Sequence, residues 1–129
     1  MITLEQYFGK FPELKTSAYE KSATQLLVRV NLLLKEANHT IINKKTGSQI
    51  SGTQYGGMRP KECPEGAENS SHKTACGIDI YDPENTLDGW LDDIKLLKYD
   101  LCREHPDYTK GWCHLTTRHP HSGKRTFIP

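Results

Sequence analysis

Two histidines and an aspartate carry the chemistry most worth testing in this chain of 129 residues. His72 lies seven positions before Asp79 in "ENSSHKTACGIDIYDPENT", and Asp79 is set between Ile78 and Ile80. A carboxylate inside an apolar, strand-like run is expensive to bury without a partner or a metal ion. His114, in the later run WCHLTT, can complete a set of three. Three protein ligands drawn from His, Asp, Glu or Cys, with one position left open, are what a catalytic zinc site uses. Spacing alone is a weak signal, and by itself it favours a solvated loop histidine, an ordinary strand and a surface strand residue, because a motif needs its structural context.

The elements that must position these residues follow from periodicity. In CGIDIYD a period of two sends Ile78 and Ile80 to one face and Gly77, Asp79 and Tyr81 to the other. In WCHLTT it separates Trp112, His114 and Thr116 from Cys113 and Leu115. Both runs read as strands with one core face and one face free for a site. From about Ser17 to Asn38, apolar residues at spacings of three and four draw one continuous helical stripe. Thr3 can cap a short helix ended by Pro12. QISGTQY reads as a further strand after a KKTG turn, and residues 60–71 as a loop. Asn85, with Asp88 three residues on, suggests the cap of a helix running to about Cys102, with Leu87, Trp90, Leu91, Ile94, Leu97 and Leu101 on its apolar face. The expected fold is α+β, helices packed on a small, mainly antiparallel sheet, in one domain over 1–129.

Composition narrows the function classes. Seventeen basic residues stand against sixteen acidic ones, without the basic patch that nucleic-acid binding needs. No run approaches the roughly 18 apolar residues of a membrane span, and the first residues lack a signal-peptide pattern. Membrane insertion is therefore not expected, and synthesis in the cytoplasm is. Cys63, Cys76, Cys102 and Cys113 are expected as free thiols. Their spacings of 13, 26 and 11 positions lack the short pairs of a structural zinc module.

The segment "SGTQYGGMRPKECPEGAENSSHKTACGIDI" resembles the paired signature of the zinc D-Ala-D-Ala carboxypeptidase family, which includes phage L-alanyl-D-glutamate endopeptidases. That signature is a strand ending near an arginine, a loop, an S-x-H-x-x-G-x-A-x-D-I element and a late W-x-H strand. Here Ser70 takes the motif serine, Ala75 and Gly77 the small positions, and Trp112-Cys113-His114 the last strand. The resemblance covers roughly residues 51–116.

It implies a D,D-peptidase or hedgehog-like fold, with Zn²⁺ held by His72, Asp79 and His114. Arg59 would bind the substrate carbonyl or carboxylate, and Ser70 and Trp112 would contact substrate. It implies hydrolysis of peptidoglycan stem peptides, by a D,D-carboxypeptidase or L-Ala-D-Glu endopeptidase of the kind phages use as lysins. Such an enzyme would act as a monomer on the bacterial cell wall, after release from the host cytoplasm or carried on the virion. The family places its general base three positions before the last histidine, here Gly111, or two after it, here Thr116. Glu104 is the first substitute and Asp107 the second, with His105 and His119 further candidates. The alternative is a relative without catalysis that keeps a metal and serves a structural or binding role in a phage particle.

Overall fold

A computed structural model describes residues 1–129. The chain forms an α+β fold with helices α1 (Leu4–Phe8), α2 (Ser17–Glu36), α3 (Thr86–Trp90) and α4 (Asp93–Tyr99) and strands β1 (Gly77–Tyr81), β2 (Cys102–Glu104), β3 (Trp112–Thr116) and β4 (Thr126–Phe127). The sheet order is β1-β3-β2-β4. β3 pairs antiparallel with both β1 and β2, whereas β4 runs parallel to β2.

The short α1 forms where Thr3 and Gln6 make a reciprocal capping box, satisfying two amide donors that a helix start leaves unpaired. Thr16 caps α2, and Ala23, Leu26, Leu27, Val30, Leu33 and Leu34 bury the expected stripe. This stripe packs with Tyr7 and Phe8 of α1 against the back of the sheet, where Ile78, Ile80, Cys113 and Leu115 are all fully buried. Each fully buried isoleucine or leucine here contributes about 1.5–3 kcal/mol. The apolar back face fixes strand register, because a slip of one residue would turn these four outward. Asp79 and His114 are thereby held on the front.

Two expected elements take a different form. QISGTQY is not a strand: residues 49–57 turn tightly, and only Ile50 bridges to Ile80. Gly56 passes so close to Ser51 that a Cβ would lie 2.2 Å from the Ser51 carbonyl oxygen, a fold-back that no extended strand makes. The segment still serves β1. Asp79 N donates to Gly56 O at 2.7 Å, Ser51 N to Asp79 O at 2.9 Å and Tyr81 N to Gln49 O at 2.7 Å, covering the strand's outer edge.

The helix expected from Asn85 to Cys102 is likewise broken. Leu91 is extended, Asp92 starts α4 as a new cap, and Cys102 opens β2. Breaking the helix shifts its phase, so Leu87, Leu91, Leu96 and Leu101 are buried while Ile94 and Leu97 face solvent. Nor does Asn85 cap α3 through its side chain. Buried Asp82 does so instead, its carboxylate accepting from Leu87 N, Asp88 N and the Thr86 hydroxyl. Asn85 sits at φ 54° and donates to Thr109 O, tying the helix start to the loop before β3. All four cysteines are free, and burial pushes the Cys113 thiol well above its usual pKa, followed by the neighbouring Asp88. No helix is long and apolar enough to cross a membrane.

Candidate metal centre

The register of β1 and β3 sets Asp79 directly opposite His114. Directly paired residues project to the same side, so both stand on the front of the sheet. His72 reaches them from the 3-10 turn Ser71–Thr74 just before β1. That turn starts where the Ser70 hydroxyl accepts from His72 N, and it closes at Ala75 in the left-handed region, φ 59°. The nine-residue stretch from turn to strand therefore delivers both His72 and Asp79.

The donor atoms converge. His72 Nε2 lies 3.2 Å and His114 Nδ1 2.8 Å from the same carboxylate oxygen, Asp79 Oδ1. All three donors fall within 4.8 Å of one another. The far nitrogen of each ring has its own partner: His72 Nδ1 is 2.8 Å from Gly57 O, and His114 Nε2 is 3.3 Å from Ser71 Oγ. A carbonyl oxygen only accepts, so His72 Nδ1 carries a proton, and Nε2 meets the carboxylate either through a second proton or through a lone pair shared with a cation. A lone pair facing an anionic oxygen at that distance repels it unless positive charge lies between them. A metal cation among the three groups would satisfy ring lone pairs and carboxylate together, and His2Asp is a donor set that divalent metals accept. His72, Asp79 and His114 together can hold a metal ion.

Burial by itself raises the Asp79 pKa, but the charge and hydrogen bonds of His72 and His114 overcome it and hold the carboxyl well below the usual aspartate range. Arg59 Nη2 donates to the second oxygen, Asp79 Oδ2, at 3.2 Å. Arg59 is itself steadied by Nε donating to Tyr55 O at 2.7 Å. The loop 60–70 crosses so near that a Cβ on Gly66, at φ 77°, would lie 2.5 Å from Arg59 Nη1. Arg59 thus pairs with Asp79.

Beneath the centre lies Tyr7, whose hydroxyl donates to Gly77 O at 2.8 Å. Burial, then nearby Cys76 and Asp79, push its phenol well above the ordinary tyrosine pKa, so it stays a neutral donor. Met58 N donates to Tyr7 O, and a Cβ on Gly57 would lie 2.2 Å from that oxygen. α1 therefore fixes the very carbonyl that orients His72.

The three donors lie in a cleft of about 970 Å³, of whose 23 lining residues only four are hydrophobic. Arg59, Ser70, Glu104 and Trp112 all line it. Glu104 arrives by sheet geometry: the register Cys102↔Thr116 and Arg103↔Leu115, carried one residue on, sets it across from His114. Asp107 is not brought in. It lies in the 3-10 turn Pro106–Tyr108 with its side chain 77% exposed. His105 and His119 border the cleft, but His105 Nδ1 accepts from Asp107 N and His119 Nε2 lies 3.1 Å from Asp100. The two positions where the resembled family keeps its base carry none here. Gly111 is a turn residue at φ 92°, and Thr116 is buried with its hydroxyl accepting from Arg118 N.

Several contributors escape a reading of the sequence. Ser71 is hidden beside Ser70 in the doublet NSSH, and the Gly57 carbonyl has no side-chain signature at all. Phe127, whose ring meets that of His114 edge to face with centroids 6.3 Å apart, comes from β4, too short to show alternation. The cleft is otherwise walled by the segment after β3, where Arg118 donates to Asn69 O and to the Thr74 hydroxyl. This ties the wall to the loop and turn that present His72. Comparison of the chain with protein-family models, curated proteins and solved structures finds no match in any of the three.

Proposed function

We propose that this protein is a zinc-dependent peptidase that cleaves peptidoglycan stem peptides, of the D,D-carboxypeptidase or L-Ala-D-Glu endopeptidase type, and that it serves a phage as a lysin. The observation that carries this reading is the convergence of His72 Nε2, His114 Nδ1 and Arg59 on one partly buried carboxylate in a polar cleft. The order of the sequence elements, from the arginine segment through S-x-H to W-x-H, supports the family assignment. In this reading the fold is of the D,D-peptidase or hedgehog type, and the enzyme is a monomer. It is made in the host cytoplasm and reaches the cell wall after release, or travels with the virion.

The donor set fits zinc, with His72, Asp79 and His114 as its ligands. When bound there, zinc supplies Lewis acidity, which polarises a carbonyl and makes water a nucleophile near neutral pH. The protein's own groups do the rest. Glu104, across the strand pair from His114, takes a proton within the cleft and returns it to the leaving amine. Arg59 keeps donors beyond the one given to Asp79, and these bind a developing oxyanion or a terminal carboxylate of the peptide. Trp112, on the same face as His114, supplies a flat wall for the peptide, and Ser70 braces the turn that carries His72.

The test is mass spectrometry of purified muropeptides before and after incubation with zinc-loaded protein. Cleavage of a stem-peptide bond, abolished in His72→Ala, is the expected result. A zinc-loaded protein that leaves every muropeptide intact defeats the enzyme reading. It would favour a second reading, a metal-binding relative without catalysis in the phage particle, which the lack of acids at Gly111 and Thr116 supports.

A further inference from the structure

We infer that Ser71 is the positioning residue for His114: its hydroxyl holds the Nε2 proton, so that Nδ1 keeps its lone pair aimed at the metal centre. The inference rests on the metal-centre reading above and assigns a role to a residue outside the S-x-H pattern. Ser71 Oγ lies 3.3 Å from His114 Nε2, on the opposite side of the ring from Asp79. Serine and histidine are both buried, with 7% and 5% of their surfaces exposed, so water cannot readily replace the bond. An imidazole that ligates through one nitrogen must carry its proton on the other, and the group receiving that proton fixes both tautomer and ring angle.

The local chain is shaped around this contact. Ser71 opens the turn that Ser70 caps, and its carbonyl accepts from Cys76 N at 2.9 Å and from the Thr74 hydroxyl at 3.3 Å. The side chain is thereby pinned against β1. There Gly77 leaves the necessary room: a Cβ at that position would lie 2.2 Å from Ser71 Oγ and 3.1 Å from His114 Cε1. The two histidines are thus held by different means. His72 leans on a backbone carbonyl that no substitution at position 57 removes, whereas His114 depends on one replaceable hydroxyl. The same turn that presents His72 as a ligand also orients the other histidine, so one four-residue element governs two of the three donors.

The experiment uses the full chain with zinc alone. Zinc affinity is measured by competition with a chromophoric chelator for the wild type, Ser71→Ala and Ser71→Thr. In parallel, long-range ¹H–¹⁵N NMR of the zinc-loaded proteins reads the ring protons of His72 and His114. Loss of the orienting partner is expected to weaken zinc binding by about 10- to 100-fold in Ser71→Ala, while Ser71→Thr, which keeps a hydroxyl, restores most of it. The His114 Nε2 proton, protected in the wild type, should exchange rapidly in Ser71→Ala, while the His72 Nδ1 proton stays protected. Wild-type zinc affinity in Ser71→Ala with an unchanged His114 signal overturns the inference, as does equal loss of both histidine signals, which marks a general disruption of the turn. Wild-type protein that takes up no zinc overturns the metal centre itself, a failure separate from any difference between the variants.

Discussion

His114 Nδ1 stands 2.8 Å from Asp79 Oδ1 across a directly opposed position of two antiparallel strands, although the residues are 35 apart in sequence. Since a ligand that binds only the folded state stabilises it by mass action, zinc at 100 times its Kd should add about 2.7 kcal/mol. Thermal denaturation should show a melting temperature raised by zinc and lowered again by a chelator. Asp79→Asn, which keeps the shape but loses the charge, should abolish the zinc response.

The same carboxyl gives a pH prediction in the metal-free protein. Its folded pKa lies below the ordinary value, against burial and because of His72 and His114. The stabilisation is therefore complete above the unfolded aspartate pKa of about 3.9 and is lost as pH falls through the lower folded value. Melting temperatures measured from pH 6 to pH 2 should fall below about pH 4, and less steeply in Asp79→Asn. Equal slopes in the two proteins would show that Asp79 is not the group responsible.

Glu104→Gln preserves size and strand pairing while removing the proton acceptor. Hydrolysis of muropeptides should fall by about 10²- to 10⁴-fold with zinc affinity retained. Asp107→Asn, at the exposed turn, should leave the rate unaltered. If the two variants exchange these phenotypes, the assignment of the base is wrong.

Arg59→Lys keeps a positive charge beside Asp79 but loses the planar set of donors. A drop in kcat of roughly 10²- to 10³-fold is expected if its role is to stabilise an oxyanion. A rise in KM at constant kcat would instead mean that Arg59 holds a ground-state carboxylate. Steady-state kinetics on a defined stem peptide distinguishes them.

Asp82 offers a control remote from the centre. Fully buried, it caps α3 through three donors, and Asp82→Ala should cost about 1–2 kcal/mol, a fall of roughly 3–10 °C in melting temperature. Zinc affinity per folded molecule should not change.

The parts of this architecture legible in the sequence are those in which a side-chain period coincides with a buried face. Ile78 and Ile80 against Asp79, Cys113 and Leu115 against His114, and the α2 stripe all state their orientation directly. The segment 49–57 does not, because β-branched and glycine residues suit both a strand and a tight turn, and only the close approach at Gly56 decides. Between Asn85 and Leu101 the apolar residues satisfy one helix as well as two broken ones. The break depends on Asp82 and Asp92 each serving as a separate cap. For the site, ligand types and spacing point to His72 and Asp79, but Ser71, Phe127 and the Gly57 carbonyl enter through tertiary contacts that leave no periodic trace.

The sheet order β1-β3-β2-β4 also bears on how the chain reaches its final form. β2 and β3 close a short loop, with Cys102 opposite Thr116, whereas β1 must find β3 over 31 to 39 positions. Loop-closure entropy and contact order favour the nearer pairing, so Glu104 and His114 are expected to be assembled before Asp79 and His72 arrive. Pulse-labelled hydrogen exchange during refolding would register this as protection of β2 and β3 ahead of β1. A chain in that half-built state has no set of three donors, so a metal ion held by His72, Asp79 and His114 would act as a lock on the last strand to dock and not as a template for the first.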